Sequence, residues 1–403
     1  MTRRRVLLAV SGGIAAYKVP ELVRALDRAG CEVRCALTGA ATRFVSPLVL
    51  QTLTRQPVRS DLLDPGEEGQ IGHIDLADQA EAVVVAPATA HVLARMAAGL
   101  ADDLVTTLLL ATRAPVLAAP AMNVNMWEHP ATQANVATLA ARGVRFVGPD
   151  TGALACGWEG AGRMAEPEAI AAALARLLGP ASLAGERVVV TAGGTRERID
   201  DVRAIVNRSS GKMGFALAAE ASRRGADVVL VAGPSALATP AGVRRVDVES
   251  ALEMRAAVRA ELAAASVVVM AAAVADFRPA APVAGKLKKE ELPDGAELEL
   301  RLVANPDILA EISRERGARV VVGFAAESRD VIAAARRKLA RKGCDLLVAN
   351  DVSRSDAGFE SDRNAVALLG PEGDVEELPL LAKTEVAARI WDRIEKLLGA
   401  RRA

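Results

Sequence analysis

Short runs of β-branched and Leu-rich residues recur along this chain. Between them lie longer segments whose apolar positions return every three or four residues. In the first half the runs predict strands at Arg5–Val10, Glu32–Leu37, Ala82–Ala86, Val116–Ala119 and Val144–Val147. The helical period predicts Ile14–Ala29, His91–Ala98, Thr132–Ala141 and Pro167–Leu178. In the second half strands are expected at Arg187–Thr191, Asp227–Val231, Ser266–Ala271, Arg319–Gly323 and Leu346–Ala349, and helices at Lys212–Arg224, Ser250–Ala263, Arg329–Arg341 and Ala382–Leu398. Strands apolar throughout, alternating with helices, are the signature of parallel sheets covered on both faces. Ligands then bind at the C-terminal ends of the strands.

Gly179-Pro180, followed by Ala181-Ser182-Leu183-Ala184-Gly185, breaks this alternation once. The expected organisation is α/β, two doubly wound parallel-sheet domains at 1–180 and 186–403. A chain of 403 residues suits about two cores. Its 50 basic and 50 acidic residues cancel, so no net field draws nucleic acid or anionic lipid. Aromatics make up only 2%, too few for base-stacking platforms. No signal peptide and no apolar stretch of roughly 18 residues is evident, so a cytoplasmic protein with no membrane partner is expected. Cys31 and Cys35 lie about 13 Å apart on an extended strand, too far to bridge. With Cys156 and Cys344 they form neither a disulfide framework nor a zinc motif.

Two Gly-rich strand-to-helix turns carry the candidate chemistry. After the first strand comes Ser11-Gly12-Gly13; after the first strand of the second half comes Thr191-Ala192-Gly193-Gly194-Thr195. Each fits either a tight βα turn or an anion site of free amides at a helix N-terminus, with Ser11 as helix cap and phosphate ligand. Neither matches Gly-x-Gly-x-x-Gly, and Thr38 rather than an acid ends the second strand, which argues against a dinucleotide site. Small residues at Ala86, Pro87, Ala88, Thr89 and Ala90 permit close approach of a planar ligand. His73 fits a surface or core position as well as a catalytic one; His91 and His129 read as structural or surface residues. Pro120-Ala121-Met122-Asn123-Val124-Asn125-Met126-Trp127 fits a polar turn backed by core residues, or a pocket wall. Cys156 lies in a Gly-rich stretch that reads as a flap, a setting that favours chemistry over packing. In the second half, Ser209-Ser210-Gly211-Lys212-Met213-Gly214 leads into a helix that either serine can cap. Asp276 follows a buried strand, a position for a cap, a ribose hydroxyl or a cation. Lys286, Lys288 and Lys289 form a charged, mobile loop, and Lys338 and Lys342 share a helix face.

Together these motifs resemble the bifunctional phosphopantothenoylcysteine decarboxylase/phosphopantothenate–cysteine ligases of coenzyme A biosynthesis. The first half is similar to the flavin-containing Cys decarboxylases. The resemblance spans nearly the whole chain, and Pro120–Trp127 matches the family's substrate motif P-x-M-N-x-x-M-W without departure. It implies a flavodoxin-like decarboxylase domain and a Rossmann-like ligase domain. FMN would lie on Ser11, Gly12, Gly13, Thr38, the Ala86–Ala90 segment, Ala121 and Met122. His73 would be the base, Asn123 the ligand of the cysteine carboxylate and Cys156 the proton donor. Asn207 would contact the activated acyl group. Ala275, Asp276, Lys286, Asn305, Pro306, Asp307, Ile308, Phe324, Lys338 and Lys342 would take CTP or the acyl-cytidylate, with Mg2+ on the triphosphate and Asp276 a candidate metal ligand. The implied substrates are 4′-phosphopantothenate, L-cysteine and CTP, in a homo-oligomer of trimeric flavin domains and dimeric ligase domains. A flavin prenyltransferase would need neither Pro120–Trp127 nor a second domain. A flavoprotein regulatory subunit would carry an acidic tail.

Overall fold

The computed structural model describes residues 3–62, 73–153, 157–288, 298–327, 330–351 and 361–402. The chain divides into two compact units, Met1–Gly179 and Pro180–Ala403.

In the first unit, β1 (Arg4–Val10), β2 (Cys31–Leu37), β3 (Ala82–Ala88), β4 (Val116–Pro120) and β5 (Arg145–Phe146) form one sheet in the order β2-β1-β3-β4-β5. Every pairing in it is parallel. Successive side chains of a strand point to opposite faces, and β1 feeds two cores in this way. Val6, Leu8 and Val10 pack with Leu22 and Leu26 of the helix Val19–Arg28 and with Ile170 and Leu174 of the helix Pro167–Leu177. Leu7 and Ala9 pack with Val92, Leu104, Val105 and Leu108. Burial on both faces is why the strand reads as an unbroken apolar run.

The helix expected over Ile14–Ala29 is in two parts, a 3-10 turn at Ile14–Lys18 and then Val19–Arg28. Pro20 explains the break. It has no amide hydrogen to give an earlier turn and suits the first turn of a new helix. The stretch read as a flap is partly a hairpin of β6 (Asp150–Ala153) and β7 (Glu159–Arg163). Cys156 lies outside the described residues.

In the second unit the strands are β8 (Arg187–Ala192), β9 (Arg196–Arg198), β10 (Ala204–Val206), β11 (Asp227–Ala232), β12 (Val243–Asp247), β13 (Val267–Met270), β14 (Phe277–Pro279), β15 (Leu302–Ala304), β16 (Val320–Glu327), β17 (Leu346–Asp351), β18 (Arg363–Leu369) and β19 (Val375–Ala382). Eight of them form a sheet in the order β12-β11-β8-β13-β16-β17-β18-β19. Strands β12, β11, β8, β13, β16 and β17 run parallel, whereas β18 and β19 pair antiparallel. This sheet is therefore mixed rather than purely parallel. The turn joining the last two strands closes on Gly373, in the left-handed region at φ 88°. Polar residues such as Glu376 and Glu377 on β19 mask its strand character in the sequence.

The helix Lys383–Arg402 covers one face of this sheet with Val386, Ile390, Trp391 and Ile394. Trp391 is fully buried, and its indole N–H donates to the Leu217 carbonyl at 2.9 Å. No helix among the described residues is long and apolar enough to cross a membrane. Trp391→Ala removes both the packing and the donor. It is expected to destabilise the chain by about 3–5 kcal/mol, read as a lowered midpoint in urea unfolding; an unchanged midpoint would show that the helix contributes little.

Candidate functional site

In each unit some of the nominated residues gather at the C-terminal ends of the parallel strands and line a cavity there. In the first, Ser11 directly follows β1 and is 1% exposed. Its hydroxyl donates to the Pro87 carbonyl at 2.6 Å and accepts from the Thr89 amide at 3.2 Å. Ser11 thus ties the turn after β1 to the turn after β3 and caps no helix, contrary to the sequence expectation; Gly13 holds the cap position. Thr89 instead caps Ala90–Ala98, accepting from Val92 at 3.5 Å.

The two turns and the segment after β4 enclose a cavity of about 500 Å3. Gly12, Gly13, Thr89, Ala121, Met122 and Asn123 line it, together with Ile14, Tyr17, Lys18, His91, Met126, Arg163 and Met164. Ser11, Thr38, Ala86, Pro87 and Ala88 are buried and do not line it. Thr38 accepts from the Ala41 amide at 3.2 Å, which holds Ala40 against Gly12. A Cβ on Gly12 would lie 2.5 Å from that of Ala40.

Asn123 caps the short helix Val124–Glu128, its side-chain oxygen accepting from Asn125 at 2.9 Å. Met126 is 49% exposed and Met122 half-buried, so this segment is a cavity wall rather than a core turn. The Met122 amide donates to the Gly162 carbonyl on β7 at 3.0 Å. Lys18 donates to Glu166 at 2.8 Å, and that bond, the strongest influence, holds the Glu166 carboxyl below its usual range. His73 opens the helix His73–Gln79; its side chain lies outside the described residues. His129 caps a helix through Nδ1, accepting from Ala131 at 3.1 Å. His91, expected to be structural or surface, is exposed on the cavity wall with Nε2 3.4 Å from Arg95. Its place immediately after the Ala86–Ala90 run was the available signal. The described cysteines, Cys31, Cys35 and Cys344, are buried and free. Burial pushes the Cys35 thiol up to about 12 and that of Cys344 up to about 11, which leaves both inert at neutral pH.

In the second unit a cavity of about 460 Å3 brings together Asn207, Asp276, Phe324 and Lys338. Asn207 donates through Nδ2 to the Val274 carbonyl at 3.0 Å. Its backbone is fixed by close approach, since a Cβ on Gly194 would lie 2.6 Å from the Asn207 carbonyl oxygen. Ala275 is buried, donates to Thr195 Oγ1 at 3.0 Å, and accepts from Asn305 Nδ2 at 2.8 Å. Gly211, at φ 78°, is the N-cap of the helix Lys212–Arg223, with no side-chain cap from either expected serine. Ser209 instead accepts from the Gly211 amide at 3.3 Å. Burial lowers the Lys338 ammonium pKa, against an opposing pull from Glu327.

The other nominated residues lie off this wall. Asp307 caps the helix Ile308–Arg314 and pairs with Lys342. Ile308 is buried, and Pro306 leads into that cap without lining the cavity. Lys286 is exposed, on a loop anchored from below. The Leu287 amide donates to the buried Asp200 at 3.1 Å, and Gly285 donates to Asp201 at 2.8 Å. The loop read as mobile is thus tethered at 285–287, while Lys289 and the residues to 297 lie outside the described residues. Arg208, Lys212, Asn350, Asn364 and Lys383 line the cavity and were not nominated from the sequence.

Comparison with known proteins follows this division. A family model described as Flavoprotein matches residues 1–179. A second, DNA/pantothenate metabolism flavoprotein C-terminal domain, matches residues 183–398. The coenzyme A biosynthesis bifunctional protein CoaBC of Vibrio vulnificus YJ016 is 48% identical over 397 residues, covering 98% of both chains. That of Escherichia coli K12 is 49% identical over 393 residues, covering 97% of this chain and 96% of its own. Among solved structures, the C-terminal domain of a CoaBC protein is 39% identical, covers 54% of this chain and 98% of its own, and has a TM-score of 0.46.

Gly162 holds the wall of the first cavity. A Cβ there would lie 2.3 Å from the Met122 carbonyl oxygen, a backbone atom that cannot swing aside. Gly162→Ala is expected to cost about 1–3 kcal/mol and to speed hydrogen exchange at the Met122 amide. Unchanged protection there would show that the turn tolerates the methyl group.

Proposed function

We infer the chemistry from one premise: the chain belongs to the family of coenzyme A biosynthesis bifunctional proteins CoaBC, enzymes with a flavoprotein decarboxylase domain and a ligase domain. The second unit then joins 4′-phosphopantothenate to cysteine at the expense of CTP, and the first decarboxylates the product to 4′-phosphopantetheine. The observation that carries this reading is convergence. Asn207, Asp276, Phe324 and Lys338 are far apart in sequence yet line one cavity, and Gly12, Gly13, Ala121, Met122 and Asn123 line another.

In the ligase, a carboxylate oxygen is a poor leaving group and CMP a good one. Attack of the pantothenate carboxylate on the α-phosphorus of CTP gives an acyl-cytidylate and pyrophosphate. The cysteine amine then displaces CMP and forms the amide. Asn207, held by Val274, presents an amide to the activated acyl group. The uncapped first turn of Lys212–Arg223 and the ammonium of Lys338 meet phosphate charge. Asp276 is the one carboxylate among the described residues lining the cavity and would hold Mg2+, which would offset triphosphate charge. Lys286, Asn305, Pro306, Asp307, Ile308 and Lys342, which lie off this wall, would take the rest of the nucleotide as the resemblance implies.

The decarboxylase cavity fits FMN. Its volume suits a planar heterocycle, and the Gly12–Ala40 contact leaves backbone, not side chain, at the turn. Gly12, Gly13, Thr89, Ala121 and Met122 would hold the group. FMN supplies reversible oxidation of the substrate's thiol carbon, and so an electron sink for the leaving carboxylate. Asn123 orients that carboxylate, His73 takes a proton, and Cys156 returns one to the enethiol. A homo-oligomer, trimeric through the flavin domains and dimeric through the ligase domains, and a cytoplasmic location complete the reading.

A decisive assay supplies 4′-phosphopantothenate, cysteine and CTP to the purified yellow protein and follows pyrophosphate and CO2. Two variants separate the sites. Asn207→Asp is expected to slow acyl-cytidylate turnover about 100-fold while decarboxylation of supplied 4′-phosphopantothenoylcysteine is unchanged; equal loss of both activities counts against separate sites. Cys156→Ser is expected to release CO2 yet form 4′-phosphopantetheine about 100-fold more slowly, with enethiol accumulating in mass spectra. A normal 4′-phosphopantetheine yield would rule out the proton-donor role.

A further inference from the structure

The second cavity holds more positive charge than the residues so far given roles there. Arg208, Lys212, Lys338 and Lys383 line it, against the single carboxylate of Asp276 among the described residues. Lys383 is the least expected of the four. It is 6% exposed, and it opens the 20-residue helix Lys383–Arg402. A helix N-terminus carries partial positive charge, so a cation there stands at the unfavourable end. Burial is the main influence lowering its pKa, and Lys212 adds repulsion that Asp362 only partly offsets. Lys212 itself reaches Asp362 at 2.6 Å, so that exposed carboxylate is shared. Two lysines and two helix N-termini border one space. This arrangement disfavours each cation and favours an anion among them.

A second observation points to a ligand. Asn364 is 3% exposed, lines the same cavity, and has no partner for its side-chain oxygen among the described residues. It stands on β18 opposite Leu381, two residues before Lys383. A buried amide oxygen needs a donor, which a ribonucleotide brings in its hydroxyls while its phosphates meet the lysines. We propose that Lys383 is a further binding residue for the phosphates of the nucleotide, with Asn364 accepting a hydrogen bond from the same molecule. The assignment rests on the reading of this cavity as the CTP site and extends it to residues that neither the sequence motifs nor the resemblance single out.

The test is titration calorimetry of the full chain with CTP, CDP and CMP. Lys383→Met keeps the length and apolar stem of the side chain and removes its charge. The expected result is CTP binding weakened about 10- to 100-fold, CDP weakened less and CMP almost unaffected. An unaltered ratio of CTP to CMP affinity in a folded variant overturns the assignment and leaves the ligase reading intact. A wild-type chain that binds no cytidine nucleotide sinks that reading, and the assignment with it. Acetic anhydride labelling of the unaltered chain provides a check independent of variant folding. CTP, and not CMP, is expected to protect Lys383 from acetylation, and equal labelling under both nucleotides overturns the assignment.

Discussion

Both sites depend on backbones that approach more closely than any side chain permits. A Cβ on Gly12 would meet that of Ala40 at 2.5 Å, and one on Gly214 would meet that of Ala192 at 2.5 Å. One on Gly233 would meet the Gly194 carbonyl oxygen at 2.5 Å. These contacts lie where parallel strands end and the chain must turn. The glycines let neighbouring turns close on one another, and they leave main-chain amides and small side chains at the strand ends. The buried strands beneath fix the spacing of those turns, so the geometry of each cavity is inherited from its sheet.

Charge then separates the two cavities. The second gathers cations around an uncapped helix start, a setting for a polyanion. The first is lined mainly by Gly, Ala, Met and Asn, and among the described residues its two charged ones, Lys18 and Arg163, both pair with Glu166. The same strand-end architecture therefore presents different densities of positive charge, and the difference lies in a handful of side chains rather than in the fold.

The alternation of strands and helices was legible because strands buried on both faces must be apolar at every position, as Val188, Val189 and Val190 are. Edge features were not. The hairpin of β18 and β19 carries Glu376 and Glu377 on a strand with a solvent-facing side, so its composition resembles a loop. The break before Val19 depends on Pro20, whose effect on the helix start is stronger than the apolar period suggests. At the sites, Ser11 and Thr89 were legible as polar residues at strand ends, but their bond to each other depends on the adjacency of β1 and β3. Lys383 and Asn364 were illegible for a related reason. They reach the second cavity only through the antiparallel hairpin, which returns the chain to the sheet after the parallel strands are complete.

On the proposed reading, amide formation consumes a triphosphate and needs cations that hold negative charge while pyrophosphate departs. Loss of CO2 needs the reverse. A cation bonded directly to the substrate carboxylate would stabilise the ground state more than the transition state, in which that charge is leaving. A neutral amide such as that of Asn123 can orient the carboxylate without fixing its charge, and Glu166 diverts the ammonium of Lys18 from it. On this reading the ion pair between Lys18 and Glu166 has a catalytic consequence although neither residue carries the chemistry. Arg163 reaches the same carboxylate at 3.0 Å, so Glu166 damps the field of both cations on this wall and lessens their hold on a carboxylate bound there.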